Sequence, residues 1–254
     1  MNKTVNYPKN FSRFYDIIYD QYRSYFDHGF FLDLIKKANG KVLEAGVGTG
    51  RFYLDALKQG ADIYGLDVSR HMISVLLDKL DKSQHYRISE QSIIDFTYDF
   101  KFNLVLAPFR VMMHILEKGD QIKALNNVYD HLVPGGKFIF DAFVPNLEQL
   151  LKGIDNQTDF DGEYAPGKKL RRTVSTIPDL INQQIMVNFT VEWEDENETK
   201  KEDWTTPMRY YFRYELEHLV ERSKFQEQYE ILGDFMGNPL DKDSKEFIVV
   251  CTKL

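Results

Sequence analysis

Residues 43–51 read LEAGVGTGR, and a short apolar run, KVLEAG at 41–46, leads into them. The apolar run predicts a buried strand, and the glycines after it predict a tight turn into a helix over about 51–59. Glycine lets a ligand lie against bare backbone, and the first turn of a helix offers free N–H groups to it. The stretch therefore predicts a ligand-binding loop between a strand and a helix.

Strand and helix patterns continue to alternate beyond this loop. The predicted strands are 61–67, 85–89, 102–107 and 137–143, and the predicted helices between them are 69–80 and 119–132. Such alternation predicts a parallel sheet with helices on both faces. With a helix at 215–223 and closing strands at 226–235 and 246–254, we expect an α/β fold with a doubly wound, seven-stranded, mostly parallel sheet.

Two segments depart from this pattern. Residues 11–38 carry aromatic and apolar side chains at helical spacing, which predicts one or two amphipathic helices. Residues 151–169 are polar and predict a loop, whereas 170–213 alternate strictly and predict an antiparallel meander with an acidic hairpin tip at 194–198. The predicted organisation is an N-terminal helical cap (1–40), a Rossmann-like core (41–150 and 214–254) and an inserted antiparallel β-lid (151–213).

Composition narrows the classes of partner. The chain has 254 residues, 32 Lys and Arg against 39 Asp and Glu, and a net charge of −7, which disfavours a nucleic-acid partner. It contains one cysteine, Cys251, and six scattered histidines, so neither a disulfide within the chain nor a metal site is predicted. The polar start at 1–10 and the lack of a long apolar run predict a cytoplasmic protein without a membrane segment. We expect a monomer or homodimer.

The glycine spacing separates two kinds of cofactor site. A nicotinamide dinucleotide site requires G-x-G-x-x-G, but Gly46, Gly48 and Gly50 are spaced G-x-G-x-G, and Arg51 stands in the place of the third glycine. Glu44 would repel a pyrophosphate and would favour a cationic amino-acid ligand. The loop therefore favours a cofactor with an ammonium group over NAD.

Asp67 ends the second predicted strand. A carboxylate at this place accepts hydrogen bonds from ribose hydroxyls in dinucleotide-binding folds. The alternative is that Asp67 only caps the helix predicted to start at Ser69, itself a suitable N-cap residue.

These residues occur in the order typical of one family. LEAGVGTGR resembles the first motif of the class I (Rossmann-like) S-adenosylmethionine-dependent methyltransferases, and LDVS (66–69) resembles their second motif. FNLVLAPFRVMMHI (102–115) resembles their fourth strand with its exit loop, and LNNVYDHLVPGGKFIFDAF (125–143) resembles the helix, turn and fifth strand that follow. The inserted meander is similar to the lid of the small-molecule subgroup, which includes aminosugar N-methyltransferases.

The resemblance implies an enzyme that transfers a methyl group from S-adenosylmethionine to an O or N atom of a small molecule, with S-adenosylhomocysteine as product. Two alternatives stay open: a non-catalytic S-adenosylmethionine-binding protein and a nicotinamide-dependent oxidoreductase. The implied cofactor-binding residues are Tyr15, Tyr22, Glu44, Gly46, Gly48, Gly50, Arg51, Asp67, Val68, Met72, Gln91, Ser92, Ile93 and Pro108. The sequence departs from the family at Gln91 and Asn103, where the family usually has acids.

The sequence indicates fewer residues for the methyl acceptor than for the cofactor. His114 and Arg110 are the candidate catalytic residues, and Phe109, Arg110, Arg209 and Tyr211 are the candidate substrate contacts. A histidine with an ordinary pKa near 6.5 suits a general base, although packing alone would also explain His114. Arg110 either grips an acidic group of the substrate or forms a structural ion pair. Arg209 and Tyr211, predicted to share one face of a strand, line the acceptor pocket or lie on the surface.

Overall fold

The structure is a computed structural model that describes residues 7–20, 25–196 and 198–254. The strands are β1 (Val42–Ala45), β2 (Ile63–Asp67), β3 (Ile88–Glu90), β4 (Phe102–Ala107), β5 (Leu132–Phe143), β6 (Ile154–Ala165), β7 (Lys168–Asp179), β8 (Gln184–Asp195), β9 (Glu198–Arg209), β10 (Tyr229–Leu232) and β11 (Glu246–Thr252). The helices are α1 (Lys9–Asp20), α2 (Tyr25–Lys37), α3 (Tyr53–Lys58), α4 (Arg70–Leu77), α5 (Lys118–His131), α6 (Leu147–Lys152) and α7 (Arg213–Glu221). None of the helices in these described ranges is both long and apolar enough to cross a membrane.

Seven strands form the main sheet in the order β10-β11-β5-β4-β1-β2-β3. Strand β11 runs antiparallel to β10 and β5, and all the other neighbouring strands are parallel to each other. Successive residues of β4 enter different cores: Val105 packs with α5 and α7 on one face, and Leu106 packs with α2 and α3 on the other. Because both faces are covered, every residue of the strand except Asn103 is apolar. The predicted doubly wound, seven-stranded sheet is confirmed.

The chain leaves β1 toward β2 on one side, while β4 pairs with the other side of β1. The loops after β1 and β4 therefore diverge at the carboxyl edge of the sheet. Ligands of open α/β sheets bind in such a crevice.

Strands β6 to β9 form a separate four-stranded antiparallel sheet, here called the lid. Its inner face packs against α1. The shared core contains Phe11, Phe14 and Ile18 of α1 and Phe160, Leu170, Val191 and Trp193 of the lid. The lid strands lie within the predicted insertion, and the division into domains stays a prediction.

Two predictions of local structure were wrong. Residues 151–169 form the end of α6 and all of β6 rather than a loop. This strand lies at the edge of the lid, and of its side chains only Phe160 is fully buried, so its sequence is polar like that of a loop. The strand predicted to continue to Arg213 ends at Arg209, because Tyr210 and Tyr211 turn into the main core and α7 begins at Arg213.

Candidate active site

A cavity of about 510 Å³ lies at the carboxyl ends of β1 to β4. Tyr7 and Tyr15 close it from the N-terminal side, and Pro207 of β9 reaches it from the lid. Ten of the predicted cofactor residues line it: Tyr15, Gly46, Gly48, Asp67, Val68, Met72, Gln91, Ser92, Ile93 and Pro108. The predicted acceptor-side residues Phe109 and His114 line it as well. The cavity thus joins the predicted cofactor and acceptor residues in one space.

The carboxylate of Asp67 connects the glycine loop to α4. Its Oδ2 accepts a hydrogen bond from the Gly48 N–H at 2.9 Å, and its Oδ1 accepts one from the Ser69 N–H at 2.8 Å. Burial raises the pKa of Asp67, and these backbone donors oppose the rise. The N-cap of α4 is Ser69, whose side chain accepts from the Met72 N–H. Asp67 therefore binds the N–H of the N-cap residue of α4 and also borders the cavity.

Glu44 is a buried carboxyl group at the start of the glycine loop, with 2% of its surface exposed. Burial raises its pKa from 4.5 to about 8; nearby Arg51 opposes this rise, and Asp67 adds to it. Its Oε2 has no hydrogen-bond partner among the described residues. Glu44 and Arg51 line a small recess beside the cavity, and the two spaces share Gly46, Gly48 and Pro108 in their walls.

Arg51 is held by the N-terminal helix α2. Its Nη1 and Nη2 donate to the two carboxylate oxygens of Asp27 on α2, each at 2.7 Å. The guanidinium also lies over the Phe52 ring, 4.7 Å from its centre. Arg51 thus attaches α2 to the glycine loop and keeps a positive charge near Glu44.

The three glycines of the loop have different structural roles. Gly46 has a φ of +71°, and a Cβ there would lie 2.3 Å from the Val111 side chain. A Cβ on Gly48, which has a φ of +54°, would meet only the Gly46 carbonyl oxygen, at 3.9 Å. A Cβ on Gly50 would lie 2.4 Å from Leu76 of α4, and Gly50 does not line the cavity. The predicted cofactor contact at Gly50 is therefore a packing position in this structure.

Residues 108–117, here called the acceptor loop, follow β4 and line the cavity. Phe109 and Arg110 both have left-handed backbone, with φ of 59° and 72°, and a 3₁₀ turn spans Val111–His114. Burial lowers the pKa of His114 from 6.5 to about 4. Its Nδ1 has no hydrogen-bond partner among the described residues. The imidazole is thus neutral at pH 7, and it borders the cavity.

Arg110 points away from the cavity and forms two ion pairs. One is with the buried Asp141 of β5, and the other is with Glu246 of β11, with 2.7 Å between Nη2 and Oε1. Burial raises the pKa of Asp141, and Arg110 opposes that rise. Of the two alternatives for Arg110, the structure shows the structural ion pair.

The substrate contacts predicted at Arg209 and Tyr211 are corrected by the structure. The Arg209 Nε donates to the Leu116 carbonyl at 2.6 Å, and the Tyr211 hydroxyl donates to the Met112 carbonyl at 3.1 Å. Neither side chain lines the cavity. Tyr211 is also buried rather than on the surface, because the chain turns inward after β9. Tyr22, predicted to contact the cofactor, lies outside the described residues.

The sequence analysis missed part of the cavity wall. The missed residues are Tyr7, Leu66, Ile94, Asp95, Val111, Ile115, Leu116, Glu117, Asp120 and Pro207. Most of them adjoin predicted residues in the same exit loops, so their position in the chain was a usable signal. Tyr7 and Pro207 come from distant segments, and the sequence offers no local signal for them.

Known proteins resemble this chain in part of its sequence and in its fold. Residues 42–136 match the family model for a methyltransferase domain. A protein of Bacillus mycoides named as an uncharacterized methyltransferase is 30% identical over 122 residues, which are 47% of this chain and 56% of that protein. The chain therefore spans little more than half the length of that relative.

Two solved structures share the fold over nearly the whole chain. An S-adenosylmethionine-dependent methyltransferase from Clostridium acetobutylicum has a TM-score of 0.73 at 20% identity and covers 96% of this chain and 98% of its own. The sugar N-methyltransferase KedS8 from Streptoalloteichus has a TM-score of 0.72 at 13% identity and covers 93% of this chain and 92% of its own. Residues 42–136 thus match a methyltransferase domain, and nearly the whole chain shares the fold of S-adenosylmethionine-dependent methyltransferases of known structure.

Proposed function

We propose that this protein transfers a methyl group from S-adenosylmethionine to an O or N atom of a small molecule and releases S-adenosylhomocysteine. The observation that carries the proposal is the pair of buried carboxyl groups on either side of an open glycine loop. Glu44 has an unpartnered oxygen beside the recess, and Asp67 borders the cavity. This arrangement fits a cofactor with an ammonium group at one end and a ribose at the other.

The residues present fit that cofactor better than a dinucleotide. Gly48 leaves bare backbone open to the ligand, while Glu44 offers an unpartnered carboxyl oxygen that suits an ammonium group. When bound, S-adenosylmethionine supplies an electrophilic methyl group on a sulfonium sulfur. The chain supplies binding at Glu44 and Asp67, and Tyr15 with Phe109 shields the space from water.

The acceptor side supports a small molecule. A cavity of about 510 Å³ is within the range of small-molecule sites. His114 presents a neutral imidazole, which accepts a hydrogen bond from an N–H or O–H group and so orients the lone pair of the acceptor. With a pKa of about 4 it is a weak base, so we propose orientation rather than proton removal as its role.

Calorimetric titration tests the cofactor first. We expect micromolar binding of S-adenosylhomocysteine, no binding of NADH in a parallel titration, and at least about tenfold weaker binding in Asp67→Asn. Binding of NADH alone would favour the nicotinamide-dependent oxidoreductase. Binding of neither compound would contradict the proposal.

A mass-spectrometric screen of amines, sugars and phenols for S-adenosylhomocysteine production then tests catalysis. We expect turnover that His114→Gln lowers without changing cofactor affinity. Cofactor binding without turnover across all classes would favour the non-catalytic alternative. Amino sugars come first in the screen, since KedS8 is named as a sugar N-methyltransferase. We also infer a cytoplasmic monomer or homodimer that binds no nucleic acid.

A further inference from the structure

Three side chains from outside the acceptor loop bind three of its carbonyl groups. The Tyr211 hydroxyl donates to Met112 O at 3.1 Å, and the Arg209 Nε donates to Leu116 O at 2.6 Å. From the other side, the Gln121 Nε2 of α5 donates to Ile115 O at 2.7 Å. These carbonyls flank His114 on both sides along the chain.

Two of the three donors have little access to water. Tyr211 and Gln121 are each 3% exposed, so their polar atoms depend on these partners. Burial raises the pKa of the Tyr211 hydroxyl, and the nearby Arg209 and Gln121 side chains both oppose that rise. The three side chains, which bind neighbouring carbonyls of one loop, are here called the clamp.

At the start of the acceptor loop, the backbone is strained and is held in place by ion pairs. Left-handed backbone at the successive non-glycine residues Phe109 and Arg110 persists only where surrounding contacts impose it. The ion pairs of Arg110 with Asp141 and Glu246 impose it here. A loop that is strained at its start needs anchors at its end to hold one conformation.

We propose that Tyr211, Gln121 and Arg209 are positioning residues that hold His114 toward the cavity by binding the carbonyls around it. The inference rests on the proposed function only in taking the cavity as the acceptor site. Arg209 ends β9, and Tyr211 lies in the segment that leaves the lid for α7. The base of the lid therefore sets the geometry of the acceptor side, although neither residue touches the cavity.

Tyr211→Phe in the full chain tests the clamp because it removes one hydroxyl and keeps the ring. With histidine-labelled protein, we expect the NMR signals of His114 to shift and its pKa to rise from about 4 toward 6.5 as water enters. Amides of residues 111–117 should exchange with deuterium about fivefold faster, the factor that corresponds to about 1 kcal/mol. The affinity for S-adenosylhomocysteine should stay within about twofold, because the clamp does not touch the cofactor side.

Tyr210→Phe is the matched control. Tyr210 is equally buried, and its hydroxyl makes no hydrogen bond to residues 111–117, all of which are described. We expect no change in His114 or in the exchange of the loop. Gln121→Met provides a second test in case Tyr211→Phe fails to fold. Unchanged His114 signals and unchanged loop exchange in a folded clamp variant would overturn the inference. If the wild type did not bind S-adenosylhomocysteine, only the proposed function would be contradicted. The test of the clamp would still stand, because the NMR and exchange measurements are made on the protein without cofactor.

Discussion

The buried carboxyl group of Glu44 opposes folding at neutral pH, and Glu44→Gln should relieve that opposition. Its pKa is raised from 4.5 to about 8, so between these values the folded protein keeps a proton that the unfolded chain has released. The free energy of unfolding therefore falls as pH rises through this window, by about 1.4 kcal/mol per pH unit. From pH 4.5 to pH 7 the loss is about 3 kcal/mol. Glutamine has nearly the same shape and carries no charge at any pH.

Urea unfolding of the wild type and of Glu44→Gln across this pH range measures the effect. We expect the stability advantage of the variant to grow by about 3 kcal/mol between about pH 5 and about pH 8. Glu148→Gln is the control, because Glu148 is an exposed partner of Lys152 on α6. Its difference from the wild type should stay nearly constant with pH. Parallel stability curves for Glu44→Gln and the wild type would refute the reasoning.

The same substitution should weaken cofactor binding. Loss of a charged partner for the ammonium group costs about 1.5–3 kcal/mol, which corresponds to roughly tenfold or more in the dissociation constant of S-adenosylhomocysteine. In the wild type at neutral pH, binding should also release a proton from Glu44, because the bound cation lowers the pKa of the carboxyl group. Calorimetry in buffers of different ionisation enthalpy detects that proton. An equal affinity in both proteins would show that the cofactor does not reach Glu44.

Other parts of the site give three further predictions. Gly46→Ala should weaken S-adenosylhomocysteine binding by at least about tenfold in calorimetry, because the added methyl group collides with the acceptor loop. Gly60→Ala is the control, because Gly60 has a φ of +85° and faces open space. It should cost only about 1–2 kcal/mol of backbone strain and leave cofactor binding unchanged. An equal loss of binding in both variants would show that backbone strain, and not the collision, weakens binding. Arg51→Lys should lower the free energy of unfolding, measured by urea denaturation, by about 2 kcal/mol, because one ammonium group cannot replace the two hydrogen bonds to Asp27. An unchanged free energy of unfolding would contradict this prediction. In an NMR titration His114 should take up its proton near pH 4, whereas a midpoint near 6.5 would show that water reaches the imidazole in the folded protein.

Local rules explain why the cofactor side was predictable from sequence. Gly46 and Gly48 have positive φ in the loop that connects β1 to α3, and Asp67 ends the next strand at the same edge. Those requirements are set by neighbours in the chain, so they leave a readable pattern. The role of Gly50 was not readable, because its constraint comes from Leu76, whose position depends on how α4 packs.

The acceptor side depends on contacts between distant segments. In sequence, Arg209 and Tyr211 continue the alternation of β9, but the strand ends at Arg209 because Tyr210 and Tyr211 are buried in the main core. The side chains of Arg209 and Tyr211 then bind the acceptor loop, which lies more than ninety residues earlier in the chain. Single-sequence periodicity carries no information about such a partner. The polar edge strand β6 was missed for a related reason, since its partner β7 rather than its own composition makes it a strand.

The shared core of α1 and the lid has a consequence for how new specificities arise. Phe11 and Phe14 of α1 pack with Leu170 and Trp193 of the lid, so a lid grafted from another protein would leave aromatic side chains in water. A functional chimera must therefore carry both segments from the same donor. Although the gene encodes them more than a hundred codons apart, we expect the two segments to be inherited together as one exchangeable unit.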